Sequence, residues 1–161
     1  MCTAVLMSGI SVTAERRRRI KLLGMLSEFF FTLGQSIKSG GKSFPASLAE
    51  AKERVCAAAF SFPGETLKKC ASGAELAETW RSAVLHDAAV GRTGAENAAA
   101  ICSLADFFAD VSPSSVASAC EKLGARFGKE KMKSASEFEK NERLYLTGSL
   151  LGAAAVFIIM I

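Results

Sequence analysis

The sequence is short of most of what enzymes and β-folds are built from. Its 161 residues include one tyrosine, one tryptophan, one histidine and three prolines. Strands draw on aromatic and β-branched residues, so this composition points away from a sheet and towards packed helices. A single histidine, His86 in AVLHDAA, excludes a histidine cluster for a metal. No Walker A loop is present. The five cysteines (Cys2, Cys56, Cys70, Cys102 and Cys120) are odd in number, scattered, and contain no C-x-x-C. Neither a disulfide framework nor a zinc site has that spacing, and small thiols held reduced inside a helical core do. The expectation is therefore no catalytic residue, no cofactor, no metal and no small-molecule substrate. A thiol enzyme pairing Cys56 or Cys120 with His86 stays open as an alternative class, although no motif orders such a pair.

Net positive charge outside one place is also lacking. The net charge is +4, from 20 basic and 16 acidic residues. Between Glu15 and Lys21 the chain carries Arg16, Arg17, Arg18, Arg19 and Lys21 against Glu15 alone, which accounts for the entire excess. A nucleic-acid binder spreads its basic residues over a face with aromatics among them, so one compact cluster argues against nucleic acid as a partner.

What is present in abundance lies at the two ends. From Leu144 to Ile161 there are 18 residues without charge, and only Tyr145, Thr147 and Ser149 are polar. As a helix the run spans about 27 Å at ~1.5 Å per residue, close to the ~30 Å hydrocarbon core of a bilayer. A buried soluble helix of that length would keep a polar stripe, and none recurs past Gly152. Lys140 and Arg143 precede the run as a positive-inside flank. Gly148 and Gly152 form a G-x-x-x-G that clears a stripe for another helix in the bilayer. At the other end, 14 uncharged and largely apolar residues precede the arginines. This order, apolar then basic, is that of the second half of a helix entering the cytoplasm, and it makes Met1 look like a late start. Both flanks, Arg16 to Arg19 and Lys140 with Arg143, then face the same side. The expected organisation is 1–14 as the remnant of a transmembrane helix, 15–143 as a cytoplasmic helical bundle and 144–161 as a transmembrane helix, with the protein in the cell membrane and lipid as one partner.

The middle reads as helices of period 3.6. Leu22, Leu26, Phe29, Leu33 and Ile37 line one face of the first, widened by Leu23 and Phe30. FPASLAEAKERVCAAAF follows, with Pro45 in its first turn and Leu48, Ala51, Val55 and Ala59 inward. SFPG breaks the chain before ETLKKCAS, and AELAETWRSAVLHDAAV reads as one further helix, with Trp80 as a packing anchor. Thr93 to Glu96 has the spacing of a capping box that opens the fifth helix, with Ala98, Ile101, Ala105 and Phe108 inward. Ser112-Pro113 starts a sixth that meets no strong stop. Gly124 and Gly128 in it provide a close-approach stripe, and the charged GKEKMKSASEFEKNER reads as its solvated face. The fold expected is all-α: a bundle of about six helices, the last continuing into the C-terminal transmembrane helix.

The order of these features resembles the stage III sporulation protein AB family. The matching stretches are RRRRIKLLGMLSEFFFTLGQSIKSGGKSFPASLAEA, the mid-domain tryptophan of ETWRSAV, and above all KNERLYLTGSLLGAAAVFIIMI. The chain departs from the family pattern where ADVSPSSVASA replaces an S-D-x-x-x-Q type stretch, and where its N-terminal span is short. The resemblance implies a membrane protein of the channel complex linking mother cell and forespore, in the mother-cell membrane around the forespore. It implies a cytoplasmic bundle similar to the domains of type II secretion F proteins. The partners it implies are the stage III sporulation protein AA ATPase and the other membrane proteins of the same operon. A membrane-anchored helical adaptor, or a type II secretion or pilus F-like fragment outside sporulation, is the alternative.

Overall fold

Two long helices set the architecture. In the computed structural model, α1 (Cys2–Gly40) and α7 (Pro113–Ile159) run for 39 and 47 residues and pack antiparallel over most of the bundle. Between them in sequence lie α2 (Phe44–Ala51), α3 (Phe62–Ala71), α4 (Leu76–His86), α5 (Ala88–Thr93) and α6 (Ala95–Cys102). The structure describes the backbone of 2–40, 43–56, 59–108 and 112–159, and the side chains of 13–39, 43–55, 59–108 and 112–140. Among the described residues the fold is all-α, with no strand.

The face predicted for α1 is the buried one. Leu22, Leu23, Leu26, Phe29, Phe30, Leu33 and Ile37 all lie in the core. Phe30 meets Phe127 of α7 at 5.7 Å between ring centroids, and Phe29 meets Phe62 of α3 edge-on at the same distance. The close-approach stripe on α7 also finds its partner here. Ser27 donates a 2.8 Å hydrogen bond to the Gly124 carbonyl, and a side chain at Gly124 would strike the Phe31 ring at 2.9 Å. On the opposing helix, a β-carbon at Gly34 would come to 3.1 Å of the Ala117 carbonyl oxygen. Small residues on both helices thus let the two backbones approach, as in any tightly crossed helix pair.

The short helices wrap Trp80, which is fully buried. Phe44, Phe62 and Phe108 surround its indole edge-on at 5.8, 5.2 and 5.7 Å, and its Nε1–H donates to the Ile101 carbonyl at 2.8 Å. Edge-to-face geometry suits the ring quadrupoles, and the hydrogen bond removes the cost of burying the indole N–H.

Three local readings need correction. AELAETWRSAVLHDAAV is not one helix: it breaks at Asp87, whose extended backbone (ψ 109°) separates α4 from α5. Asp87 is 3 % exposed and its carboxylate caps two helices at once. Oδ1 accepts the N–H groups of Ala89 and Val90 at the start of α5, and Oδ2 accepts those of Ser61 and Phe62 at the start of α3. Second, Thr93 does not cap α6. Its hydroxyl donates to the Val90 carbonyl and is buried, and Gly94 takes the cap position at φ +115°, where only glycine is unstrained. Third, the helix after Pro45 gives way to a π-helical turn, Lys52–Cys56, leaving Val55 and Ala59 half-buried at its edge.

On α7, Val116, Ala117, Cys120 and Phe127 are buried and no described residue beyond Phe127 is. On α1, the core begins at Leu22. Past these points the two helices leave the bundle together, side by side, from one end.

Candidate functional site

Four consecutive arginines cannot share one helix face, because successive residues turn by about 100°. The structure divides them accordingly. Arg19 forms a 2.8 Å ion pair with Glu130 of α7, and the Arg17 guanidinium lies 5.3 Å from the centre of the Phe138 ring, a cation–π distance. Arg16 is exposed and borders the same groove between α1 and α7, opposite Glu137. Arg18 turns the other way, towards α5 and the π-helical turn. The cluster read from the sequence as a single flank is therefore a collar around the point where α1 and α7 leave the bundle. Half of it holds the helix pair together.

Below Arg19 the collar rests on a buried polar junction. Asn97, 2 % exposed, donates through Nδ2 to the Thr93 carbonyl and to Glu130 Oε1, each at 3.0 Å. Glu130 thus receives Arg19 and Asn97 on one oxygen and ties α1, α6 and α7 at the same level. Sequence reasoning missed Asn97, Glu130 and Arg92, because each acts on a residue far away in the chain. Lys140 is exposed at the limit of the described side chains. Arg143, Gly148 and Gly152 lie outside them, as do the side chains of 1–12 and the apolar run from Leu144 to Ile161. Among the described residues no helix is long and apolar enough to cross a membrane.

Among the described residues, His86 and Cys120 lie apart, one exposed at the end of α4 and the other buried in the core. Among the described residues no cluster of His, Cys, Asp and Glu could hold a metal. His86 is exposed at the end of α4, with Nδ1 2.7 Å from the Ser82 carbonyl, a contact that places the proton on Nδ1. Cys56 lies outside the described side chains. Cys120 lies in the α1–α7 core with no exposed surface, and burial, aided by the neighbouring Glu121 charge, pushes its thiol up to about 12. A thiol so placed is protonated at neutral pH and is not a nucleophile. Burial also raises the thiols of Cys70 and Cys102, at Cys102 against an opposing pull from Arg81.

Cys120 carries a pH-dependent prediction. Its folded-state value stands above that of an unfolded thiol, so its contribution is whole below about pH 9 and is lost as pH rises towards 12. Denaturant unfolding at a series of alkaline pH values should show that decline. Cys120→Ala is expected to flatten it, at a cost of roughly 1 kcal/mol in stability at pH 7 for the smaller side chain. An unchanged slope in the variant would contradict the assignment.

Fold and site together define a class: an all-α bundle whose first and last helices form an antiparallel pair that exits through a basic collar. The family model for stage III sporulation protein AB matches residues 1–161. The chain belongs to that family, and its role is accordingly a sporulation-related one. Neither the curated proteins nor the solved structures include a match to it.

Proposed function

We propose that the protein is a non-enzymatic membrane platform of the sporulation channel complex between mother cell and forespore. Its cytoplasmic bundle docks an assembly ATPase, stage III sporulation protein AA, and partner membrane proteins of the same operon. The observation that carries this reading is the antiparallel register of α1 and α7. It brings the start of α1 and the end of α7 out of the same end of the bundle, past the arginines of α1 that pair with Glu130 and Phe138. Two apolar segments that leave together, each with its basic residues on the bundle side, suit a helical hairpin in a bilayer under the positive-inside rule. Gly148 and Gly152 then give the hairpin a stripe for close packing. The bundle stays on the cytoplasmic side, where an ATPase operates.

The reading is tested by fractionating sporulating cells. The full chain is expected in the membrane pellet, resistant to high salt and to alkaline carbonate, and released by detergent. Recovery of most of it in the supernatant after salt or carbonate would remove the membrane platform from consideration.

A further inference from the structure

The collar has a side that the helix pair does not use. Arg18 and Lys21 of α1 and Arg92 of α5 border a cleft of about 610 Å³, together with Arg54 from the π-helical turn. Among the described residues Arg18, Lys21 and Arg92 are engaged in no ion pair, whereas Arg54 bonds Glu50 at 2.7 Å. One carboxylate, Glu53, also borders the cleft. Its floor is apolar and formed by Leu22, Val55, Ala59 and Ala89. A second, smaller space of about 210 Å³ adjoins it, sharing Arg18 and Arg92 and adding Arg16, Arg19 and the carboxylate of Glu15. Three exposed cations with a single carboxylate, Glu53, among them make a locally positive surface that attracts an anion.

The position of the cleft decides which anion. Arg18 lies about 6 Å and Leu22 about 12 Å along the helix axis from residue 14, at ~1.5 Å per residue. If α1 enters the bilayer at residue 14, the mouth of the cleft stands at headgroup level. Its apolar floor at Leu22 then lies about 6 Å further from the bilayer, so the cleft takes the headgroup and not the acyl chains. We propose that this cleft holds the phosphate of an anionic phospholipid from the leaflet that α1 enters, bound by Arg18, Lys21 and Arg92. Basic pockets between helices on the cytoplasmic side are suited to such headgroups. The proposal rests on the membrane reading above and adds to it a specific lipid site. Arg92 distinguishes the two, since it belongs to α5 and no membrane flank requires it.

The test uses the full chain in nanodiscs of phosphatidylcholine, with and without phosphatidylglycerol, and native mass spectrometry to count the lipids retained. Phosphatidylglycerol is expected to be retained in preference to phosphatidylcholine. Arg92→Gln should lower that retention about fivefold, the equivalent of the roughly 1 kcal/mol typical of one basic residue near an anionic surface. Lys122→Gln removes the same charge from a remote, exposed part of α7 and should leave retention unchanged. Both side chains are exposed, so neither substitution is expected to disturb folding, which circular dichroism checks. An equal loss in both variants would reduce the effect to bulk charge and overturn the site. Full retention in Arg92→Gln would also overturn it, and would leave the cleft facing an acidic protein surface instead. A chain that enters neutral nanodiscs but shows no lipid preference refutes the cleft alone. One that enters no nanodisc refutes the membrane reading and the cleft with it.

Discussion

Replacing Trp80 by alanine should lower the stability of the bundle by about 4 kcal/mol, the middle of the range for truncating a buried tryptophan. Three aromatic rings stand edge-on to the indole within 6 Å, and they come from three separate segments, so no single neighbour can move in to fill the space. The Ile101 carbonyl, which now accepts the indole N–H at 2.8 Å, would lose its partner inside the same cavity. For a chain of this length the loss corresponds to a fall of about 12 °C in melting temperature. Thermal unfolding of the detergent-solubilised full chain, followed by circular dichroism, measures it. Trp80→Phe keeps most of the ring contacts and should cost about half as much. A shift of only a degree or two in Trp80→Ala would mean that the short helices do not depend on this centre.

Asp87→Ala is expected to cost about 3 kcal/mol through a different mechanism. The carboxylate accepts four backbone N–H groups at 2.7 to 3.1 Å, two at the start of α3 and two at the start of α5, and also the Ser61 hydroxyl. One lost cap costs about 1 kcal/mol, and buried charge-assisted bonds cost more. Alanine removes both caps and leaves the N–H groups of Phe62 and Val90 buried without acceptors. Asparagine would not fully repair this, because an amide turns its NH₂ group towards one of the two sets of donors; Asp87→Asn should recover about half of the loss. Hydrogen exchange separates this from general loosening. The amides of Ser61, Phe62, Ala89 and Val90 should exchange faster in Asp87→Ala by more than the global change explains, whereas those in the middle of α1 should follow it. Uniform acceleration would contradict the double cap.

How far the sequence could be read follows from how local each feature is. The inner face of α1 was legible because its apolar residues recur with the helical period, and each of them is buried. Pro45 and Pro113 marked helix starts correctly, since a proline in the first turn gives up no hydrogen bond. The stripe of Gly124 and Gly128 was visible, but not that α1 fills it with Phe31 and Ser27. The Thr93 capping box failed because the same spacing permits a buried threonine that bonds back to Val90. Asp87 looked like one polar residue in a helix. Its second role depends on Ser61 and Phe62, 26 and 25 positions earlier, and no local pattern carries that. The collar was half legible for the same reason. ERRRR marked the place, while Glu130, Phe138 and Arg92 came to it only through folding.

The central claim is that α1 and α7 leave the bundle together into a membrane, with the bundle on the cytoplasmic side. It is tested most directly by labelling single cysteines in a chain whose five native cysteines are replaced. In intact spheroplasts of non-sporulating cells that express the chain, where the only membrane open to it is the cell membrane, a membrane-impermeant maleimide should modify a cysteine placed at Ile161. It should leave one placed at Ser72, an exposed site in the bundle, unmodified until the cells are lysed. Labelling of Ser72→Cys in intact spheroplasts, or protection of both positions until lysis, would contradict the account.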